Sequence, residues 1–215
     1  MSETDTQSKR TSLYDQHAKL GARFVDFFGW EMPLMYEGQL KEHEAVRTNA
    51  GIFDVSHMGQ ARMMGSDAMA FMNYLVPGNF SKVTVGGAKY TMLCQENGGI
   101  IDDLIITRTG ESEFFAVINA SRIDDDIAWM QKQAEKFDGD VQVKNESDFW
   151  SMIAVQGPHS IQRLIDIGLL PGDFAGFRPF SLQAYQQDEK TYLVSKTGYT
   201  GEVGCEILCP NGYAA

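Results

Sequence analysis

Cysteine, histidine and basic residues are scarce in this chain, and each scarcity removes a class of function. Cys94, Cys205 and Cys209 are an odd set without the paired spacing of a zinc site. The histidines His17, His43, His57 and His159 are too scattered to complete a metal-binding group. No metal is expected, and free thiols fit a reducing compartment. Lysine and arginine number 18 against 29 acidic residues, a net charge of −11. That balance argues against a broad phosphate-binding surface, and so against nucleic acid as a partner, while leaving room for a small anion held by a few converging cations. No apolar run approaches the roughly 20 residues of a membrane span. Met1 to Lys9 are polar, with neither a signal peptide's apolar core nor the Arg-rich character of a transit segment. The expected location is cytoplasmic, away from membranes. Repeats and low-complexity segments are lacking. The glycines at 198, 201 and 204 match neither the dinucleotide nor the phosphate-loop spacing, and the phosphate-cradling lysine is missing.

What is present reads as α+β. A chain of 215 residues buries roughly 70% of its unfolded surface, enough for a core without staples. Residues 1–11 read as a disordered tail. Ser12 with Asp15 forms a capping box for a helix from Leu13 to Leu20, stopped by Gly21. The aromatic, turn-rich stretch Phe27 to Leu34 reads as a packed loop, and a helix follows from Leu40 to Thr48. Strands are expected at 51–55, 60–64, 89–94, 101–108, 113–119, 141–144, 150–155, 179–185, 191–196 and 202–209. Between them, Ser66 caps a helix carrying Met69, Met72, Leu75 and Val76. Ser121 with Asp124 caps another, whose stripe runs through Ile123, Ile127, Met130, Ala134 and Phe137. A third helix spans Pro158 to Ile167, with proline in its first turn. Strands in runs, interrupted by helices, indicate mostly antiparallel sheets with flanking helices.

Two segments could carry chemistry. In Gly98-Gly99-Ile100-Ile101-Asp102-Asp103-Leu104, two carboxyl groups sit inside an aliphatic run. Adjacent strand residues face opposite ways, so Asp102 and Asp103 point apart, and an inward one needs a partner. The alternative is a strand edge with one aspartate bonded to the glycine turn and the other exposed. In Thr197-Gly198-Tyr199-Thr200-Gly201-Glu202-Val203-Gly204-Cys205-Glu206-Ile207, alternation puts Val203, Cys205 and Ile207 on a core face and Glu202, Gly204 and Glu206 opposite. Two acids flanking a glycine could admit a flat ligand, with a carboxylate accepting two parallel N–H bonds. The alternative is a solvated strand face. Ser56 and His57 point apart and make no dyad; His57 reads as a hydrogen-bonded structural residue.

Five segments in order, Val25-Asp26-Phe27-Phe28-Gly29-Trp30-Glu31-Met32-Pro33-Leu34, Phe53-Asp54-Val55-Ser56-His57-Met58, Gly99-Ile100-Ile101-Asp102-Asp103-Leu104, Val155-Gln156-Gly157-Pro158 and Thr197-Gly198-Tyr199-Thr200-Gly201-Glu202, resemble the aminomethyltransferases, the T-proteins of the glycine cleavage system. The resemblance spans Thr11 to Pro210. It implies a transferase of one-carbon units that takes the aminomethyl group from the lipoyl arm of H-protein and passes its carbon to tetrahydrofolate. The products are ammonia and 5,10-methylenetetrahydrofolate. By resemblance Asp103 is the catalytic aspartate, orienting folate and stabilising cationic character as the carbon–sulfur bond breaks. Glu206 grips the pterin edge, Tyr90 and Tyr199 line the folate site, and Asn119 lies near the same pocket. Cys205 stands where an aromatic residue is common.

The resemblance also implies two of three T-protein domains: residues 1–50 plus 145–215 as a discontinuous first domain, incomplete at its end, and 51–144 as an inserted second domain. The C-terminal β-barrel and the arginine for the folate tail are expected to lie outside this sequence, which reads as part of a longer protein. A first domain without its end is expected to expose apolar surface and to associate or lose stability. Two alternatives stay open: a sister folate-dependent demethylase of a sulfonium or methylamine, and a folate-binding module without turnover.

Overall fold

The computed structural model describes residues 8–187 and 189–215. Along the chain these form α1 (Tyr14–Lys19), β1 (Arg23–Phe27), β2 (Trp30–Met35), α2 (Gln39–Thr48), β3 (Gly51–Asp54), β4 (Gly59–Met64), α3 (Ala68–Leu75), β5 (Ala88–Cys94) and β6 (Ile100–Gly110). There follow β7 (Glu113–Ile118), α4 (Ile123–Lys136), β8 (Gln142–Asn145), β9 (Trp150–Gln156), α5 (Ser160–Asp166), β10 (Leu182–Gln187), β11 (Lys190–Ser195) and β12 (Gly204–Pro210). Sheet I has the order β10-β11-β12-β9-β3 and sheet II the order β5-β6-β7-β4-β8; a hairpin of β1 and β2 stands apart. All pairings within the sheets are antiparallel. The α+β architecture with antiparallel sheets and flanking helices is the one expected.

Period-two alternation sorts the side chains into three apolar layers. One face of sheet II sends Ala61, Met63, Leu93, Leu104, Ile106, Phe114, Ala116 and Ile118 against α3 and α4. Helix α3 answers with Ala68, Phe71, Met72 and Leu75, an i, i+3, i+4, i+7 stripe. The other face of sheet II meets sheet I, where Phe115, Trp150, Met152, Leu182, Leu193 and Leu208 interlock. The outer face of sheet I packs Val155, Val194, Cys205 and Ile207 on Ile161 and Leu164 of α5. The order is therefore helix, sheet, sheet, helices. Each fully buried large side chain contributes about 1.5–3 kcal/mol.

Several local expectations give way to tertiary contacts. Residues 1–7 of the expected tail lie outside the described residues, but its remainder is ordered by pairing. Lys9 exchanges backbone hydrogen bonds with Gly29 and Glu31, and Thr11 is buried. The stretch expected as a packed loop is the β1–β2 hairpin, with Phe27 opposite Trp30 and both turn residues, Phe28 and Gly29, at positive φ. Two-residue turns of that kind match the twist of the strands they join. The capping boxes do not form. Ser12 Oγ bonds Ser151 Oγ at 2.5 Å, Ser66 Oγ bonds Asp140, and α4 starts from a tight turn at 120–122 without a side-chain cap. Pro158 precedes α5 rather than starting it. β3, which lies in the segment expected to form the inserted unit, hydrogen-bonds to β9 within sheet I.

Candidate functional site

Strand β6 carries the two aspartates. Leu104 and Ile106 face the helices, so Asp102 does too, whereas Asp103, Ile105 and Thr107 face sheet I. The exposed Asp103 carboxyl accepts a hydrogen bond from Tyr90 Oη on the neighbouring strand at 2.9 Å. That bond, more than any other cause, raises the Tyr90 pKa above its ordinary value. Asn119, directly after β7, clamps the strand from its side. Its Nδ2 lies 3.1 Å from each Asp102 carboxyl oxygen and 3.0 Å from the Asp103 carbonyl, to which it donates.

Beneath Asp102, on α4, is Asp126, fully buried and with a pKa pushed up to about 8. Burial is the main cause and the neighbouring Asp102 carboxyl the next, while Arg122 pulls the other way. The N-terminal end of α4 also favours a negative charge, but typically by only about 0.3–1 kcal/mol. Burying a charge without partners costs several kcal/mol, and burial wins. Among the described residues neither Asp126 oxygen meets a donor. Its polar neighbour is another carboxyl, which becomes a partner only when one of the two keeps a proton.

Strand β12 carries Glu206. Register aligns Phe53, Ala154, Glu206 and Ser195 in one row across sheet I, on the face turned to sheet II. Thr197 Oγ1 donates to Glu206 Oε2, and Oε1 has no hydrogen-bond partner among the described residues. Burial raises the Glu206 pKa above the usual glutamate value, and the Thr197 bond partly offsets it. The glycines around it serve a different purpose from the one expected. A Cβ on Gly198 or Gly204 would fall 2.0 or 2.5 Å from the Gln156 side chain. That amide threads between them, donating to the Thr197 and Cys205 carbonyls and accepting from Thr200. The space at Gly204 belongs to Gln156, not to a ligand. Glu202 lies before the strand and pairs with Arg47 at 2.9 Å, so it does not share the Glu206 face.

The structure brings Asp103, Tyr90 and Asn119 into direct contact. Tyr199, fully exposed on the loop before β12, comes close enough to Tyr90 for the two hydroxyls to interact electrostatically. Glu206 stands on the facing sheet. Asp103 is one alternate position beyond Ile105 and Glu206 one beyond Leu208, each flanking the core that joins the sheets. These residues form an open edge. Two concavities, of about 420 and 560 Å³, lie elsewhere, around Arg62, Arg178 and Glu113 and around Arg62, Glu146 and Trp150. His57 departs from expectation: its buried Nδ1 has no partner among the described residues, its ring packs edge-on with Phe27, and burial lowers its pKa. Cys205 is fully buried on the core face, as its alternation predicts, with its thiol pushed up to about 12. Sequence reasoning missed Thr197 and Asp126. Asp126 was detectable: it sits three residues after Ile123 and four before Met130, an acid on an apolar stripe.

Paired antiparallel sheets, each presenting a carboxyl group at the rim of their shared core, define the class of α+β protein to which this chain belongs. Residues 13–215 match the family described as the GCVT N-terminal domain, and the chain is a member of that family. It is 44% identical over 202 residues to an aminomethyltransferase of Bacillus subtilis, covering 94% of this chain and 54% of that protein. The crystal structure of glycine cleavage system aminomethyltransferase T from Bartonella henselae superposes with a TM-score of 0.87 at 39% identity, over 96% of this chain and 55% of that one. A heterotetrameric sarcosine oxidase from Corynebacterium sp. U-96 shares the fold at 14% identity, with a TM-score of 0.61. The chain thus spans about half the length of the curated relatives it matches.

Proposed function

We propose that this chain provides the folate-handling and catalytic side chains for tetrahydrofolate-dependent aminomethyl transfer from lipoylated H-protein, releasing ammonia and forming 5,10-methylenetetrahydrofolate. The observation that carries the reading is the pairing of two unlike carboxyl groups on the facing sides of two sheets. Glu206 has one oxygen engaged by Thr197 and the other free, in a half-buried setting. A pterin edge with adjacent N–H donors fits that free oxygen, and charge-assisted bonds of this kind contribute about 1.5–3 kcal/mol each. Asp103, held by Tyr90 and by Asn119 at its own carbonyl, is free to orient the cosubstrate and to stabilise positive charge that develops near its carboxyl group. Tyr199 and Tyr90 supply aromatic surface at the same edge. The cosubstrate supplies the nitrogen nucleophiles that accept the carbon; the protein binds, orients and holds charge.

The test is tetrahydrofolate binding by calorimetry together with ammonia release from aminomethylated H-protein. Asp103→Asn is expected to lower turnover by about 10²–10³ while affinity stays within a few-fold. Glu206→Gln is expected to weaken folate binding with the fold intact. Unchanged turnover in the first variant removes Asp103 from the reaction, and unchanged binding in the second refutes the pterin grip. Demethylation of a methylamine or sulfonium without ammonia release would point to the sister reaction.

A further inference from the structure

The carboxyl pair beneath the candidate catalytic residue has no counterpart in the reading above. Asp126 is fully buried beside the core of Ile127, Met130 and the apolar face of sheet II, and among the described residues neither of its oxygens meets a donor. Asp102 is the neighbour within hydrogen-bonding reach. Other charges near Asp126 come from its own end of α4, Arg122 and Asp125. Helix α3 offers no charged residue there, and Arg62 of β4 and Lys144 of β8 pair with Glu146 on the opposite face of sheet II. Two adjacent carboxylates cannot both stay charged in that setting. The proton belongs on Asp126, because Asp102 has a donor in the Asn119 amide and Asp126 has none.

We propose that Asp126 is a positioning residue for Asp103: as a neutral carboxylic acid it donates a hydrogen bond to Asp102, completing a chain through Asn119 that ends at the Asp103 carbonyl. Asn119 spends one N–H on Asp102 and the other on that carbonyl, so the orientation of its amide depends on where the Asp102 carboxyl is held. The proton-sharing rests on the Asp102–Asp126 contact, the Asn119 bonds to Asp102 and the burial of both unpartnered Asp126 oxygens. Its consequence for catalysis rests on the role proposed for Asp103.

The experiment follows the Asn119 side-chain amide by NMR across the pH range on both sides of 8, where the buried acid is expected to lose its proton. In the wild-type chain the amide resonances should shift with a midpoint in that region. Asp126→Asn, which keeps a donor and cannot ionise, should hold them at their low-pH positions throughout. Asp126→Leu should displace them at every pH. A wild-type amide that does not titrate, or one that still titrates in Asp126→Asn, overturns the shared proton. The Asp126→Asn arm decides alone if the leucine variant does not fold. Ammonia release from aminomethylated H-protein then separates the two claims. Turnover should fall in Asp126→Leu and be restored in Asp126→Asn. Unchanged turnover in Asp126→Leu, with Asp103→Asn inactive, overturns the positioning role. Unchanged turnover in both overturns the role of Asp103 itself.

Discussion

Asp54 on sheet I and Asp126 beneath sheet II are both buried acids, and their surroundings are opposite. Three donors converge on Asp54: Thr11 Oγ1 at 2.6 Å and His17 Nε2 at 2.9 Å on one oxygen, and the Ser56 N–H at 2.9 Å on the other. His17 is held in turn by Tyr36 at 2.6 Å. Through this network one carboxyl group ties Thr11, α1 and Tyr36, directly after the hairpin, to β3. Among the described residues Asp126 has no donor, and its acidic neighbours are Asp102 and Asp125. Burial is thus common to both, and the supply of donors decides what each acid does. A buried carboxyl ringed by donors is a structural clasp, whereas one without them must itself become the donor.

The comparison can be broken most forcefully at the clasp. Asp54→Ala removes the acceptor for three donors and should cost about 3–5 kcal/mol, read from urea unfolding. A loss under about 1 kcal/mol would mean that water replaces the carboxyl without penalty. Next is the pH response of the second acid. In the folded chain Asp126 titrates near 8, against an ordinary value of 3.8. Between those values the unfolded chain has lost the proton and the folded chain retains it. Stability contributed at low pH therefore declines as pH rises through this window and levels off above it. Asp126→Asn lacks that titration, so its stability relative to wild type should increase from pH 4 to pH 8 by on the order of a few kcal/mol. A pH-independent difference would count against the raised pKa.

Glu206 gives a smaller effect of opposite use. Its pKa is raised, and the proposed grip needs the carboxylate, so folate affinity should fall on acidification at a higher pH than an ordinary glutamate dictates. Calorimetric titrations at several pH values check this, with Glu206→Gln expected to be flat. The smallest effect serves as the control. Glu202→Gln breaks the partly exposed pair with Arg47 and should change stability by under about 1 kcal/mol in the same urea assay.

Much of the fold was legible because alternation and helical stripes report burial directly. The strands of both sheets, the faces of Cys205 and Ile207, and the opposed directions of Asp102 and Asp103 all follow from period-two spacing. The errors share a cause. Ser12, Ser66 and Ser121 looked like helix caps on local grounds, but the first two were claimed by Ser151 and Asp140, more than 70 residues away. The glycines at 198 and 204 signalled close approach correctly, and only folding showed that Gln156 was the approaching group.

What the sequence by itself determined was an α+β chain with antiparallel sheets, two aspartates facing apart on one strand, and a glutamate on the face of another opposite Cys205 and Ile207, because side-chain direction along a strand is a matter of counting. Only the tertiary structure decided which face of each sheet met the other, that Tyr90 bonds Asp103, that Thr197 takes one oxygen of Glu206, and that Asp126 lies under Asp102. Those facts depend on partners brought in from distant elements, and no local pattern records which donor will arrive at a given carboxyl group.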